Sequence, residues 1–429
     1  MQPKATLASE ALIEGRKYRR PTQAVILAGG RGTRMRPITN ERPKPMIPIL
    51  GRPFLEYQIE QLRDQGFERV LLLLGYLPQI IQSYFGDGAR WGIKIEYSVT
   101  AADDLTSSRV RNARHRLDSC FLLLYCDNYW PMQIDRMWQR FCSAAKPGMI
   151  TVYTNTDQYS RGSVILDAND DVLVYDRLRT TPGLQGVEIS YAILTDRVVD
   201  LLPEQDTLFE EAIYTPLAKQ RRLAAYVSDH RYYSVGSLDR LPKTEAFLRR
   251  DPTIILDRDG VLNCKPPRAH YVTDWSGWRW LPGALEALRM LRLARYRVFV
   301  ASNQAGINRG AMSLTELGNI HARMCAEAET AGGHIEAVFF CPHDWDEGCA
   351  CRKPKPGLLL QLQKEFDLDL TRTLCVGDDE RDAMAALAAG CPFAGITSTR
   401  SLLQVVRQLL ASSKNTQPLG DPQAAVPVA

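Results

Sequence analysis

The first strong hydrophobic signal is QAVILAGG, Gln23 to Gly30, a short apolar run ending in paired glycines. An unalternated run of this length predicts a strand buried on both faces that opens into a tight loop. Leu55, Ile59 and Leu62 then recur at helical spacing, Gly66 supplies a helix stop, and Val70 to Leu74 is a second apolar run. Strand, helix and strand at this spacing predict a parallel βαβ unit. FLLLYCD, Phe121 to Asp127, predicts a further strand that delivers a carboxylate at its end. The stretch from Met149 to Tyr191 alternates as shorter, partly exposed strands do.

The rhythm restarts after a break. Arg249, Arg250, Asp251 and Pro252 form a polar, proline-marked junction, and TIILDRDG follows as another apolar strand carrying polar residues to its carboxyl end. Leu285, Leu288 and Leu291 fit a helix, while Arg297 to Ala301 and Thr373 to Gly377 fit strands. The fold class predicted is α/β, with two doubly wound (Rossmann-like) domains in tandem and no sequence repeat between them. The chain divides into an amino-terminal extension (1–21), a first domain (22–250), a second domain (251–411) and a tail (412–429). The tail's Ser, Pro, Gln and Ala content predicts disorder.

Composition excludes several classes of function. The 429 residues are 45% hydrophobic and 24% charged, the balance of a globular chain. Fifty-three basic against 49 acidic residues leave a net charge of +4, too small a surplus for a nucleic-acid or membrane-surface binder, so phosphate chemistry must be local. No apolar run approaches the roughly 18 residues that span a bilayer. Residues 1–20, with Glu10 and Glu14 ahead of a late basic cluster, lack the pattern of a secretory signal. A cytoplasmic protein is expected. Ten cysteines are too sparse for a disulfide scaffold. Seven, Cys264 among them, lie mostly in or beside apolar runs and read as buried thiols. Cys341, Cys349 and Cys351 instead crowd eleven residues together with His343.

Candidate chemistry is densest in the second domain. DRDGVLN places Asp257 and Asp259 two residues apart beyond a strand, where extended backbone turns both side chains the same way, and Gly260 lets the chain bend. Ser302 and Asn303 follow RVFVA, Lys353 lies in RKPKPG, and Asp378 follows TLCV within GDDERD. Strand ends are where an open α/β sheet gathers its ligands. A nucleophile, a second carboxylate, a hydroxyl, a cation and a metal-binding acid make the inventory for phosphoryl transfer.

In order, these segments resemble the haloacid dehalogenase superfamily of phosphatases over residues 252–397. The resemblance implies that Asp257 attacks phosphorus to form an aspartyl phosphate, while Asp259 protonates the leaving alkoxide and later activates water. It also implies Mg²⁺ held by Asp257, the carbonyl of Asp259 and Asp378. Ser302 would donate to a phosphate oxygen, Asn303 would contact the substrate, and Lys353 would balance the phosphoryl charge. Asp379 and Asp382 are expected behind the site, orienting Lys353, and not on the metal.

Cys341-Pro-His343 and Cys349-Ala-Cys351 offer three thiolates and an imidazole in one loop, the donor set of a closed, structural Zn²⁺ site. Such a metal would hold Arg352 and Lys353, which follow at once, over the substrate. A zinc loop here narrows the resemblance to histidinol-phosphate phosphatases and D-glycero-D-manno-heptose 1,7-bisphosphate 7-phosphatases. The C-x-C-R-K-P-x-P-G run is more like the latter, and Arg352 would grip a second phosphate or an adjacent hydroxyl.

In the first domain AGGRGTRMRP, Ala28 to Pro37, is a glycine-rich loop whose amides can approach phosphates, with Arg31, Arg34 and Arg36 adding charge. RPKPMIPI and GRPFLEY come next, and the series resembles the sugar-1-phosphate nucleotidylyltransferases from about residue 22 to 245. The resemblance implies in-line attack by a sugar-1-phosphate oxygen on the α-phosphorus of a nucleoside triphosphate. Gly29, Gly30 and Gly32 would cradle the triphosphate, Arg34 and Lys44 neutralise it, Asp127 bind Mg²⁺, and Asp176 and Arg177 meet the sugar and its phosphate. Two departures matter. The family's L-G-T-A-G turn reads DLTSSRVRNA here, Asp104 to Ala113, and the second metal-binding Asp of its D-x-G-T motif is Ser234. A serine cannot supply a carboxylate's charge to a hard cation, and Asp229 is the nearest acid in sequence that could.

A heptose bisphosphate that loses its 7-phosphate becomes the heptose 1-phosphate that a nucleotidylyltransferase would accept. The expected function is therefore bifunctional synthesis of an activated heptose, GDP-D-glycero-α-D-manno-heptose, with a sugar phosphate and GTP as partners. Two alternatives stay open. One is histidinol-phosphate hydrolysis beside an unrelated sugar transferase. The other is a first domain that binds nucleotide or sugar phosphate and regulates the phosphatase without catalysing.

Overall fold

The computed structural model describes residues 10–267 and 270–414, and the chain divides into two units, 1–249 and 250–429. The expected extension over residues 1–21 is corrected. Glu10–Ile13 (β1) and Arg16–Arg19 (β2) pair as an antiparallel hairpin. Alternate residues of such a ribbon share a face, and Ala11, Ile13 and Tyr18 join the core of the first unit. Residues 1–9 lie outside the described ones.

The first unit is built on a seven-stranded sheet. Its strands are Gln23–Ala28 (β3), Arg69–Leu74 (β4), Lys94–Val99 (β5), Cys120–Tyr125 (β6), Gly148–Tyr153 (β7), Val187–Thr195 (β8) and Leu223–Ser228 (β9). Their order is β9-β7-β8-β6-β3-β4-β5. β3, β4, β5 and β6 run parallel, whereas β8 runs antiparallel to both β6 and β7, so the sheet is mixed. Helices Phe54–Asp64 (α1), Pro78–Phe85 (α2), Thr106–Asn112 (α3), Ile134–Ala144 (α4) and Leu241–Leu248 (α5) accompany it. Ala24, Ile26 and Ala28 enter one core cluster and Val25 and Leu27 another, so β3 is covered on both faces, as its unalternated sequence requires. Of the shorter, partly exposed strands expected between Met149 and Tyr191, Val164–Leu166 and Val172–Tyr175 are partly exposed, whereas β7 is buried throughout because Met149 and Tyr153 enter one core and Ile150 and Val152 the other.

From β3 the chain winds outward through β4 and β5, then crosses back to β6 on the other side of β3. Diverging loops at such a reversal leave a crevice at the strands' carboxyl ends. The loop Gly29–Gly32 and Asp127 both open into it.

The second unit holds five parallel strands. In chain order the elements are Thr253–Leu256 (β10), Ala284–Leu293 (α6), Arg297–Asn303 (β11), Leu314–Thr330 (α7), Ala337–Cys341 (β12), Gly357–Phe366 (α8), Leu374–Gly377 (β13), Glu380–Ala389 (α9), Phe393–Gly395 (β14) and Leu402–Lys414 (α10). The sheet order is β12-β11-β10-β13-β14. Ile254 and Leu256 pack into a core with α6, α7 and α10, and Ile255 into a core with α8 and α9. Residues 412–414 of the expected tail close α10, and 415–429 lie outside the described residues. Cys264, expected to be buried, is exposed. Among the described residues no helix is long and apolar enough to cross a membrane.

Candidate functional site

Asp257 leaves the end of β10 with its amide bonded to the carbonyl of Val376 on β13 (2.8 Å), which fixes the first residue of the loop. The ammonium of Lys353 lies 2.7 Å from Asp257 Oδ1, 2.8 Å from the carbonyl of Ala301 on β11 and 2.5 Å from Asp382 Oδ1 on α9. Burial disfavours the charged lysine, but the two carboxylates outweigh it and hold the ammonium charged. Burial also dominates at Asp257 and lifts its carboxyl to about 7 against the pull of Lys353.

Asn303 clamps the backbone of Lys353, donating from Nδ2 to its carbonyl (3.0 Å) and accepting from its amide at Oδ1 (3.1 Å). Asn303, expected on the substrate, lines the cavity and also positions the lysine. Ser302 Oγ accepts from Gln304 (2.8 Å) and lines the same cavity of about 860 Å³, along with Asp257, Asp259, Arg352, Lys353 and Asp378. Arg352 donates to the carbonyl of His343 (3.1 Å).

Asp259 is gripped from three sides. Arg258 (2.9 Å), Asn263 (2.8 Å) and Gln304 (2.9 Å) all donate to its carboxylate. Burial pushes Asp259 up, yet these donors more than compensate and hold it below the usual range. Arg258, only 1% exposed, also donates to Gln304 Oε1 (3.1 Å) and bonds to His321 Nε2 at 3.2 Å. Burial, then the Arg258 charge, depress His321 to about 3, so its ring is neutral and Nε2 accepts. Sequence reasoning passed over Arg258 because an arginine between two aspartates reads as a solvated loop residue; only the packed fold turns it inward.

Asp378 shows a cation-shaped deficit. Its Oδ2 accepts from Lys265 (2.8 Å), while Oδ1 is buried with no hydrogen-bond partner. Carboxylate oxygens of Asp257, Asp378 and Asp382 lie within 4.8 Å of one another, but Lys353 and the Asp379 amide engage both oxygens of Asp382, so Asp257 and Asp378 are the pair that fits a hard divalent ion. Gly260 is required here: its φ is +93°, and a Cβ would come within 2.2 Å of Asp378 Oδ2. Of the pair expected behind Lys353, Asp382 does touch it. Asp379 does not: it caps α9 and pairs with Arg381 (2.9 Å) and Lys265 (3.2 Å).

The cysteine loop brings its four donors together. Cys341 Sγ lies 3.7 Å from Cys349 Sγ, 3.3 Å from Cys351 Sγ and 3.5 Å from His343 Nδ1, and His343 Nδ1 lies 3.2 Å from Cys351 Sγ. A tetrahedron with Zn–S bonds of about 2.3 Å has S···S edges of about 3.8 Å, so the donor set fits zinc.

In the first unit Lys44 Nζ lies 2.5 Å from Asp127 Oδ2. Burial raises Asp127, but Lys44 and then Arg34 outweigh it and keep the carboxyl low. Two adjoining pockets meet at Asp127 and Arg34. One, about 330 Å³, is lined by Gly29, Gly30, Gly32, Lys44, Thr106 and Arg109. The other, about 680 Å³, is lined by Arg177, Arg179, Glu188, Glu210, Ser234 and Arg240 among others. A Cβ at Gly29 would meet the Arg109 guanidinium at 2.4 Å, whereas Gly30 faces open space.

Asp176 does not reach the pocket wall. Its carboxylate accepts from the amides of Arg179 (3.0 Å), Thr180 (2.8 Å) and Thr181 (2.8 Å) and from both threonine hydroxyls, and the Thr181 bonds foremost hold it well below the usual range. Glu188 and Glu210 line the pocket instead. Burial, then Glu210, raises Glu188 to about 8. A glutamate inside the otherwise uncharged strand VEISYAILT was the signal that could have found it. Ser234 Oγ accepts from Gly236 (3.0 Å) beside Asp127. Asp229 accepts from Thr154 (2.6 Å) and is not in the pocket wall, so it does not complete an acid pair with Asp127.

Comparison with known proteins agrees with this division. The sequence model of the Nucleotidyl transferase family matches residues 23–174, and that of the haloacid dehalogenase-like hydrolases matches 194–390, starting inside the first structural unit. The chain is 43% identical over 138 residues to D-glycero-beta-D-manno-heptose-1,7-bisphosphate 7-phosphatase from Bordetella bronchiseptica, covering 32% of this chain and 76% of that protein. Among solved structures, the D,D-heptose 1.7-bisphosphate phosphatase from B. bronchiseptica complexed with magnesium and phosphate is 36% identical, covering 37% of this chain and 98% of that one (TM-score 0.35). HddC from Yersinia pseudotuberculosis complexed with GMP-PN is 23% identical, covering 52% and 97% (TM-score 0.43).

Proposed function

Since the chain belongs, through its carboxyl-terminal unit, to the haloacid dehalogenase-like hydrolases, in the family of the D-glycero-D-manno-heptose-1,7-bisphosphate 7-phosphatases, we propose a bifunctional enzyme of activated-heptose synthesis. The second unit removes the 7-phosphate of D-glycero-D-manno-heptose 1,7-bisphosphate. The first unit transfers GMP from GTP to the resulting heptose 1-phosphate, giving GDP-heptose. Both steps belong in the cytoplasm, where nucleoside triphosphates are made.

One observation carries the reading: a buried lysine bridges Asp257 and Asp382 in the wall of a cavity that Asp259 and Asp378, with its partnerless oxygen, also line. Asp257 Oδ attacks phosphorus, the alkoxide leaves, and an aspartyl phosphate forms on Asp257. Asp259, held ionised by its three donors in the empty site, takes up a proton as the anionic substrate enters, gives it to the leaving oxygen and then takes one from water. Ser302 Oγ donates to a phosphoryl oxygen, and Lys353 balances the charge that builds on the phosphoryl group. Asp257, Asp378 and the carbonyl of Asp259 would hold Mg²⁺, which when bound screens the repulsion between carboxylate and phosphate. Cys341, His343, Cys349 and Cys351 would hold a structural Zn²⁺ that fixes the loop leading into Arg352 and Lys353.

In the first unit Arg34 and Lys44 neutralise the triphosphate, Asp127 would hold Mg²⁺, and Glu188, Glu210 and Arg177 meet the sugar phosphate. A second reading, a first unit that binds without catalysing, is favoured by one observation: Ser234 stands where the resemblance calls for a carboxylate, and Asp229 does not replace it. Incubating the full chain with heptose 1,7-bisphosphate and each nucleoside triphosphate in turn, with products identified by mass, separates the readings. GDP-heptose with phosphate and pyrophosphate supports bifunctionality. Phosphate without pyrophosphate supports the second reading.

A further inference from the structure

Arg109 sits on α3, 2% exposed, in the stretch DLTSSRVRNA that departs from the glycine turn of the nucleotidylyltransferases. Its guanidinium reaches under the crevice at the carboxyl ends of the sheet. Nη1 donates to the carbonyl of Leu74 (2.8 Å) and the hydroxyl of Thr100 (2.7 Å). Nη2 lies within bonding distance of the carbonyls of Gly29 (3.3 Å), Ala101 (3.0 Å), Ala102 (3.2 Å) and Asp104 (2.8 Å). One side chain thus ties together the ends of β3 and β4 and the loop after β5. A Cβ on Gly29 or Gly75 would fall within 2.4 Å of it, so the phosphate-side glycine loop rests directly on the guanidinium.

All these partners are neutral. Among the described residues no carboxylate pairs with Arg109. The nearby acids Asp104 and Asp206 act on it through space without bonding to it: Asp104 accepts from the amide of Ala101, and Asp206 from the amides of Leu105 and Ser108 and the hydroxyl of Ser107. A buried cation whose direct partners are all dipoles is costly: burial outweighs Asp104 and Asp206 and holds the Arg109 guanidinium below its usual range. The pocket above it already faces a shortage of acid for a metal, with Asp127 engaged by Lys44 and Ser234 in place of a partner carboxylate.

We propose that Arg109 is the fixed counter-charge of the triphosphate site: held beneath Gly29, it carries part of the positive charge that Mg²⁺ between two carboxylates would supply, so that the first unit binds a nucleoside triphosphate without depending on Mg²⁺. This rests on reading the first unit as a nucleotide-binding transferase. Arg109 is a positioning and electrostatic residue: it lines the pocket beside Gly29, and both terminal nitrogens are engaged by the protein's own oxygens.

The test is calorimetric titration of the full chain with GTP, in chelator and in saturating Mg²⁺. Wild-type protein should lose less than about tenfold in affinity on chelation, and Arg109→Met, similar in length and uncharged, should lose about thirtyfold or more in chelator. Its affinity for GMP should fall far less, because fewer negative charges lie above the guanidinium. Arg109→Lys keeps the charge but cannot remake six hydrogen bonds, and should stay within about fivefold of wild type for GTP. A scaffolding role alone would instead put Lys and Met together, and that result overturns the proposal. So does Arg109→Met protein that binds GTP like wild type. If Arg109→Met fails to fold, the wild-type titration decides: loss of all GTP binding on chelation overturns the proposal. No GTP binding in either buffer overturns the nucleotide-binding reading itself, and the counter-charge falls with it.

Discussion

Lys353 has an oxygen on three sides, and two of them are carboxylates, one at the end of β10 and one in the first turn of α9. Removing the proposed nucleophile should be the most damaging single change: Asp257→Asn, which preserves shape, is expected to cut phosphate release by about 10⁴-fold or more. Phosphate release measured against a heptose bisphosphate in a metal-replete preparation checks this. Asp382→Asn frees the lysine on one side without touching substrate, and a small misplacement of a charge-balancing group should cost about 10²-fold in kcat with little change in KM. Glu188 predicts a pH effect in the other unit. Its carboxyl, raised to about 8, is mostly protonated at pH 7 and ionises above 8 beside Glu210. An added negative charge disfavours an anionic sugar phosphate, so KM for the sugar 1-phosphate should rise roughly fivefold from pH 7 to pH 9. Glu188→Gln should flatten that rise, and a pH profile that stays steep in the variant would rule this residue out as its source.

At the scale of elements, the loop between β12 and α8 is the clearest dependence of one local structure on another. Four metal-type donors close it within eleven residues, and Lys353 leaves it two residues after Cys351. Structural zinc is coupled to local folding. Cys349→Ser should therefore release zinc, lower the unfolding temperature of the second unit and weaken phosphatase activity while Asp257 stays in place, and chelation should reproduce the defect. Elemental analysis that finds no zinc in protein purified without chelator would sink this expectation. The helix α9 does its own part: Asp379 caps it, and the box closes when Asp382 accepts the Asp379 amide (3.2 Å), leaving the other Asp382 oxygen for Lys353. These partnerships were half legible. The zinc donors declare themselves by spacing, but which of two neighbouring aspartates turns to the lysine depends on the helix start.

For the whole molecule, the proposed chemistry has a direction. Asp257→Asn protein given heptose 1,7-bisphosphate should make no GDP-heptose, yet should still convert supplied heptose 1-phosphate. Product analysis by mass checks both halves, and efficient transfer to the intact bisphosphate would show that the first unit acts without waiting for the second. The two units are separate chemical machines on related sheets, and each places its reacting groups where strands end and loops diverge.

The amino-acid sequence by itself determined the parts that depend on local pattern. Unalternated strands must be covered on both faces, so two α/β sheets followed from runs such as QAVILA and TIIL. Asp257, Lys353, Asp378 and the Cys₃His loop were recognisable because each sits at a strand end or in a tight spacing. Tertiary structure alone decided which polar groups the core keeps for itself. Asp176 was expected at the sugar phosphate, but the amides of an exposed turn, Arg179 to Thr181, take its carboxylate, whereas Asn303 pairs with the backbone of the buried Lys353 while lining the cavity. The converse holds for Arg258, Arg109, Glu188 and Glu210, whose neighbours in space come from segments distant in sequence. A charge becomes functional through the field and burial around it, and those exist only after the chain has closed on itself.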